Sequence, residues 1–164
     1  MGLEDEWKNL VEETDKSLPD SEKLQLVNQF FNSKITYARD IDIWGTVDYW
    51  ATPAEVLCKK AGDCEDFAIA KFFTLKELGV EEEKLSLMYV KALEYGVAHI
   101  VLAYRATPDP LILDNLIDDI VPLSKRPDLS GVLSFNERDL WLSGNRVAEK
   151  SSRIKQWRFL LKRM

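Results

Sequence analysis

Gly62-Asp63-Cys64-Glu65-Asp66-Phe67-Ala68 sets a cysteine where a polar loop gives way to a long apolar run. That run reads as a helix over roughly 64–79, stopped by Gly79. Ala68, Ile69, Phe72, Phe73, Leu75 and Leu78 cover most of its circumference, the pattern of a central, buried helix. Downstream the hydrophobic period changes. Residues 85–91 and 98–105 read as strands with Glu94-Tyr95-Gly96 as the turn between them, and 111–114 as a third, short strand. Residues 131–136 and 139–143 add further strand. His99, the only histidine, falls in the second strand 35 residues after Cys64, and Asp114 falls 15 residues later in the third. Cysteine at a helix start, then His and Asp on successive strands, is the order of a thiol triad.

Upstream, 5–13 and 21–33 read as amphipathic helices, with Ser21 as N-cap of the second. Residues 34–52 read as irregular and aromatic. Thr52-Pro53-Ala54-Glu55 reads as an N-cap, a proline at the first helical position and an acidic first turn, opening a helix to about Lys60. The tail, 151–161, reads as a helix. Helices first and an antiparallel meander after them predict an α+β fold with a papain-like or transglutaminase-like core, the cysteine helix packed on one sheet face. The 164 residues suit a single domain over 1–164, and 46% hydrophobic with 30% charged residues suits a soluble core. No apolar run approaches the roughly 20 residues of a membrane span. A net charge of −6 argues against a nucleic-acid partner. The acidic N-terminal and basic C-terminal stretches read as solvated helix faces.

Cys64 has two readings. A helix N-terminus lowers a thiol's pKa and offers N–H groups to an oxyanion, so it suits a nucleophile; a small buried residue is the plainer alternative. His99 and Asp114 favour the first, because a carboxylate on one imidazole nitrogen fixes the tautomer of the base. Asp118 and Asp119 compete for that place but read as exposed loop. Asp63, Glu65 and Asp66 also have two readings. They can cap the helix and complement its dipole. Alternatively, because carboxylates beside a thiol disfavour the thiolate, Asp63 and Glu65 supply part of a calcium site, with Asp66 or Asp48 adding to it. Trp44 and Trp50 read as core, or as lining for an oxyanion site or substrate groove. Cys58, six residues before Cys64, fits no zinc spacing and reads as a packing cysteine.

Trp44-Gly45, Asp48-Tyr49-Trp50-Ala51-Thr52-Pro53, Gly62 to Lys71, His99-Ile100-Val101-Leu102 and Leu113-Asp114-Asn115 together resemble the LapG family of bacterial transglutaminase-like cysteine proteinases, over about Val27 to Trp141. The resemblance implies a periplasmic protease with a Cys64, His99, Asp114 triad. It implies calcium dependence, with Asp63 and Glu65 as ligands. It implies cleavage of the N-terminal retention region of a large surface adhesin at a pair of alanines, releasing biofilm cells. It also implies sequestration by an inner-membrane receptor that senses cyclic-di-GMP. The chain departs from the pattern in showing no signal peptide, as expected of a trimmed mature chain. Two other readings stand beside the protease: acyl transfer or deamidation with the same triad, and a calcium-regulated binding module with a spent triad.

Overall fold

The computed structural model describes residues 1–164, the side chain of Val132 excepted. Helices α1 (Leu3–Glu13) and α2 (Asp20–Lys34) lead into a short strand, β1 (Thr36–Tyr37), and a short helix, α3 (Asp40–Trp44). Then come α4 (Pro53–Lys59), β2 (Ala61–Gly62) and α5 (Cys64–Glu77). Seven strands follow: β3 (Leu85–Ala92), β4 (Val97–Tyr104), β5 (Leu111–Leu113), β6 (Val121–Pro122), β7 (Leu129–Phe135), β8 (Asp139–Leu142) and β9 (Asn145–Lys150). Helix α6 (Lys155–Arg163) closes the chain. The fold is α+β, with the cysteine helix on an antiparallel sheet.

Local chemistry explains the helix that feeds the site. Thr52 Oγ1 accepts from the Glu55 N–H at 3.3 Å, and Glu55 Oε1 accepts from the Thr52 N–H at 3.2 Å. This reciprocal cap, with Pro53 at the first helical position, starts α4 as its sequence predicts. Lys60, in the left-handed region at φ 56°, ends it. Asp63 then caps α5, its N–H donating to Asp66 Oδ2 at 3.2 Å. Between them Gly62 passes so close to α5 that a Cβ there would lie 2.7 Å from the Asp66 Cβ.

Helix α5 is buried nearly all round and packs on β4 and β3. Phe31, Phe72, Leu75, Leu87, Leu102, Phe135 and Trp157 meet in the main core, each fully buried and each contributing about 1.5–3 kcal/mol by leaving water. The opposite sheet face carries a second apolar cluster of Met88, Val90, Val101, Ala103, Ile112 and Leu129 under Leu123.

The structure corrects several expectations. Residues 34–52 are not wholly irregular: β1 pairs in parallel with β2, and α3 is closed by Gly45 at φ 73°. Helix α2 starts at Asp20 with Pro19 as N-cap, so Ser21 lies in its first turn. The sheet order is β6-β5-β4-β3-β7-β8-β9, so the meander runs from β3 to β6 and breaks when the segment after β6 crosses back to pair β7 with β3. Strand β9 occupies residues assigned to no element, and α6 begins later than expected. Cys58 is exposed on α4 and is not a packing cysteine; both cysteines are free.

Candidate active site

The sheet places the two polar strand residues at a gap. Strand β5 pairs only with Leu102 to Tyr104 of β4, so His99 stands on the part of β4 that runs beyond the end of β5. Asp114 is the residue directly after β5. His99 Nε2 lies 2.7 Å from Asp114 Oδ1, and both side chains are buried. Asp114 Oδ1 also accepts from the Leu116 N–H at 3.1 Å, and Oδ2 accepts from Arg126 Nη2 at 2.8 Å. Burial opposes the charge on Asp114, but the bonds from His99, Leu116 and Arg126 outweigh it and hold the carboxyl below the usual carboxylate range.

Cys64 is the first residue of α5 and half-buried. It borders a cavity of about 140 Å³ together with Asp48, Trp50, Glu65, Tyr89 and His99. The two halves of the predicted triad thus face one space. The thiol donates to Glu65 Oε2 at 3.1 Å, and the Ile100 backbone N–H is a donor toward the sulfur. Burial and the Glu65 carboxylate push the thiol pKa up, more strongly than Ile100 lowers it. Of the two tryptophans, Trp50 lines the cavity, stacked on Phe135 and tilted against Tyr89. Trp44 does not line it; its ring packs on Tyr49, with the Lys59 ammonium 5.3 Å from the ring centroid. Asp118 and Asp119 are exposed, as expected of loop residues.

The acidic flank forms a cluster with a member the sequence did not single out. Asp40, at the start of α3, brings a carboxylate oxygen within 4.8 Å of those of Asp48 and Glu65, and likewise of Asp63 and Asp66. One Asp40 oxygen accepts from the Tyr49 N–H at 2.7 Å. Asp40 Oδ1 and Asp63 Oδ1 are buried without a hydrogen-bond partner. Asp66 uses both oxygens as an acceptor, Oδ1 from the Ala51 N–H at 2.9 Å and Oδ2 from the Asp63 N–H, so capping accounts for it first. Burial, then the negative charge of their neighbours, pushes Asp40, Asp63, Glu65 and Asp66 above the carboxylate range. Clustered buried carboxylates with orphaned oxygens fit a hard cation, which takes oxygen ligands from such groups.

The family model for the bacterial transglutaminase-like cysteine proteinase BTLCP matches residues 5–128. The chain belongs to this proteinase family. Its BTLCP fold is also that of LapG from Legionella pneumophila. The EGTA-treated structure of that protein superposes with a TM-score of 0.86 at 40% identity, over 96% of this chain and 85% of that one. The calcium-bound structure gives 0.84 at 43% identity, over 96% and 87%. No curated protein sequence matches the chain. Family membership makes this BTLCP chain a cysteine peptidase and gives Cys64, at the start of the central helix, a chemical context. Among the described residues no helix is long and apolar enough to cross a membrane.

Proposed function

We propose that this chain is a calcium-dependent periplasmic cysteine endopeptidase that cuts the N-terminal region of a large biofilm adhesin at a di-alanine. Cys64 is the nucleophile, His99 the base and Asp114 its orienting carboxylate. The observation that carries the reading is the buried His99–Asp114 pair, 2.7 Å apart, opening on the same cavity as the Cys64 thiol.

With Nε2 engaged by Asp114, the Nδ1 atom is the imidazole nitrogen left for the thiol proton. His99 takes that proton, and the Cys64 sulfur attacks the scissile carbonyl. The oxyanion that forms is held by the Cys64 backbone N–H at the N-terminus of α5. His99 then gives its proton to the leaving amine, and the C–N bond breaks to leave a thioester. Water, deprotonated by His99, resolves the thioester and returns the thiol.

Asp40, Asp63 and Glu65, with Asp48 and Asp66, would hold calcium. The ion supplies positive charge among carboxylates that otherwise repel one another and the thiolate. Calcium-bound and EGTA-treated forms of the Legionella pneumophila relative support this. The adhesin substrate, the periplasmic setting and a cyclic-di-GMP receptor as sequestering partner rest on the LapG-family motifs around Cys64.

The test is incubation with an adhesin N-terminal fragment containing a di-alanine, with excess calcium or with chelator. Calcium-dependent splitting that vanishes in Cys64→Ala is expected. A cross-linked product, or glutamine converted to glutamate without a split chain, would sink the protease reading in favour of acyl transfer. Splitting that ignores the chelator would remove calcium from it.

A further inference from the structure

We propose that Arg126 is the positioning residue for Asp114, fixing which carboxylate oxygen faces His99; this rests on the triad reading above. A carboxylate on a short side chain can turn about its bonds, so its plane must be set from more than one side. Here Oδ1 accepts from the His99 ring and the Leu116 N–H, and Oδ2 accepts from Arg126 Nη2 at 2.8 Å. The guanidinium holds the oxygen that the histidine does not use.

Arg126 is itself held rigidly. It is 5% exposed. Its Nε donates to Asp128 Oδ1 at 3.0 Å and its Nη2 to Asp128 Oδ2 at 2.8 Å, a two-point fork. The Asp128 carbonyl in turn accepts from the Leu93 N–H in the β3–β4 turn at 2.8 Å. The segment that crosses from β6 to β7 therefore brings its arginine back to the residue just after β5. From α5, Lys71 reaches the same residue indirectly. It donates to Asn32 Oδ1 at 2.7 Å, while Asn32 Nδ2 donates to the Asp114 carbonyl at 2.9 Å. Of the two buried basic side chains near this buried carboxylate, only Arg126 touches its charged end. Taking away one partner of such a pair leaves the other charge uncompensated.

The test uses the calcium-loaded protein and four variants: Arg126→Gln, Arg126→Lys, Asp114→Asn, and Arg126→Gln with Asp114→Asn. His99 is the only histidine, so NMR reads its ring nitrogens without ambiguity at one fixed pH. The wild type should show the tautomer with the proton on Nε2. Arg126→Gln should erode that preference and lower kcat about tenfold to a hundredfold, with KM within about twofold. Arg126→Lys should recover part of both. In the Asp114→Asn background, Arg126→Gln should cost no more than about twofold further. An unchanged kcat and imidazole spectrum in Arg126→Gln, or an equal loss in both backgrounds, overturns the proposal. Should Arg126→Gln not fold, Asp128→Asn takes its place. It should give a smaller loss in kcat with the same spectral change, and an unchanged spectrum overturns the proposal. Absence of Cys64-dependent cleavage in the wild type would count against the proteinase reading instead, and the imidazole spectrum would still decide the role of Arg126.

Discussion

The Cys64 thiol donates a hydrogen bond to Glu65 Oε2, while that carboxylate and Asp40, Asp63 and Asp66 repel one another. The arrangement holds the thiol protonated until charge nearby changes. The two neighbours of Cys64 therefore matter as much as the sulfur. Asp40 belongs with them, although it lies 24 residues upstream in the sequence. Its Oδ1 has no partner, so replacing the carboxylate with an amide removes a ligand without breaking the Tyr49 cap. Asp40→Asn should weaken calcium binding, measured by calorimetric titration, by about tenfold or more, with the unfolding midpoint in chelator unchanged or raised. Unaltered affinity would take Asp40 out of the site. Asp114→Asn should keep the geometry and lose the charge that supports the imidazolium, cutting kcat by about 10²–10⁴-fold. That Cys64 and His99 border one cavity, with Asp114 paired to His99 and Asp63 and Glu65 clustered beside the thiol, was legible because these are rare or charged residue types at fixed places in periodic segments. Asp40 and Arg126 were not, because each sits outside such a segment and meets its partners only through the fold.

Helix α5 depends on its approach. Gly62 enters with no side chain, and a methyl there would sit 2.7 Å from Asp66 Cβ, an atom fixed to the first turn of the helix. The clash cannot be relieved by rotating a flexible tip. Either β2 withdraws from β1 or the first turn of α5 shifts, and Cys64 moves with it. Gly62→Ala should therefore cost about 1–3 kcal/mol in urea unfolding and lower cleavage beyond what the lost stability explains. Wild-type stability and rate in this variant would show that the approach is loose. The same scale explains which elements the sequence revealed. Thr52, Pro53 and Glu55 announce α4 because a cap is a local device written in adjacent residues. Helix α3 has five residues, too few for a helical period to register. Strand β9 reads Asn-Arg-Val-Ala-Glu-Lys and lies at the sheet edge, exposed along most of its length, so it has no apolar face to alternate with.

The carboxylate cluster proposed to hold calcium lies at the junction of α3, the loop before α4 and the start of α5, so its occupancy would bear on global stability. The crossing of the chain from β6 to β7, which completes the sheet, was illegible because strand order is set by long-range packing and not by period. The carboxylate cluster makes a test at this scale. Asp40, Asp63, Glu65 and Asp66 have folded pKa values above their unfolded ones, Asp66 at about 7 against 3.8. A group raised in this way lends its stability fully below the unfolded value and loses it as pH rises through the folded one. Without calcium the fold therefore weakens from about pH 4 upward through neutrality. Asp114 acts oppositely, in a lower window: its pKa is depressed below 3.8, so its contribution is present above that value and lost in stronger acid. On the proposed reading calcium binds the ionised cluster, so protons would compete for the same oxygens. The unfolding midpoint with excess calcium should exceed that in chelator most at pH 8, and the gap should narrow toward pH 5. At a calcium concentration 100-fold above the dissociation constant the gain is about 2.7 kcal/mol. Differential scanning calorimetry across that range decides it: a gap of constant size would mean that calcium binds away from the cluster, and no gap at any pH would mean that the cluster does not bind it.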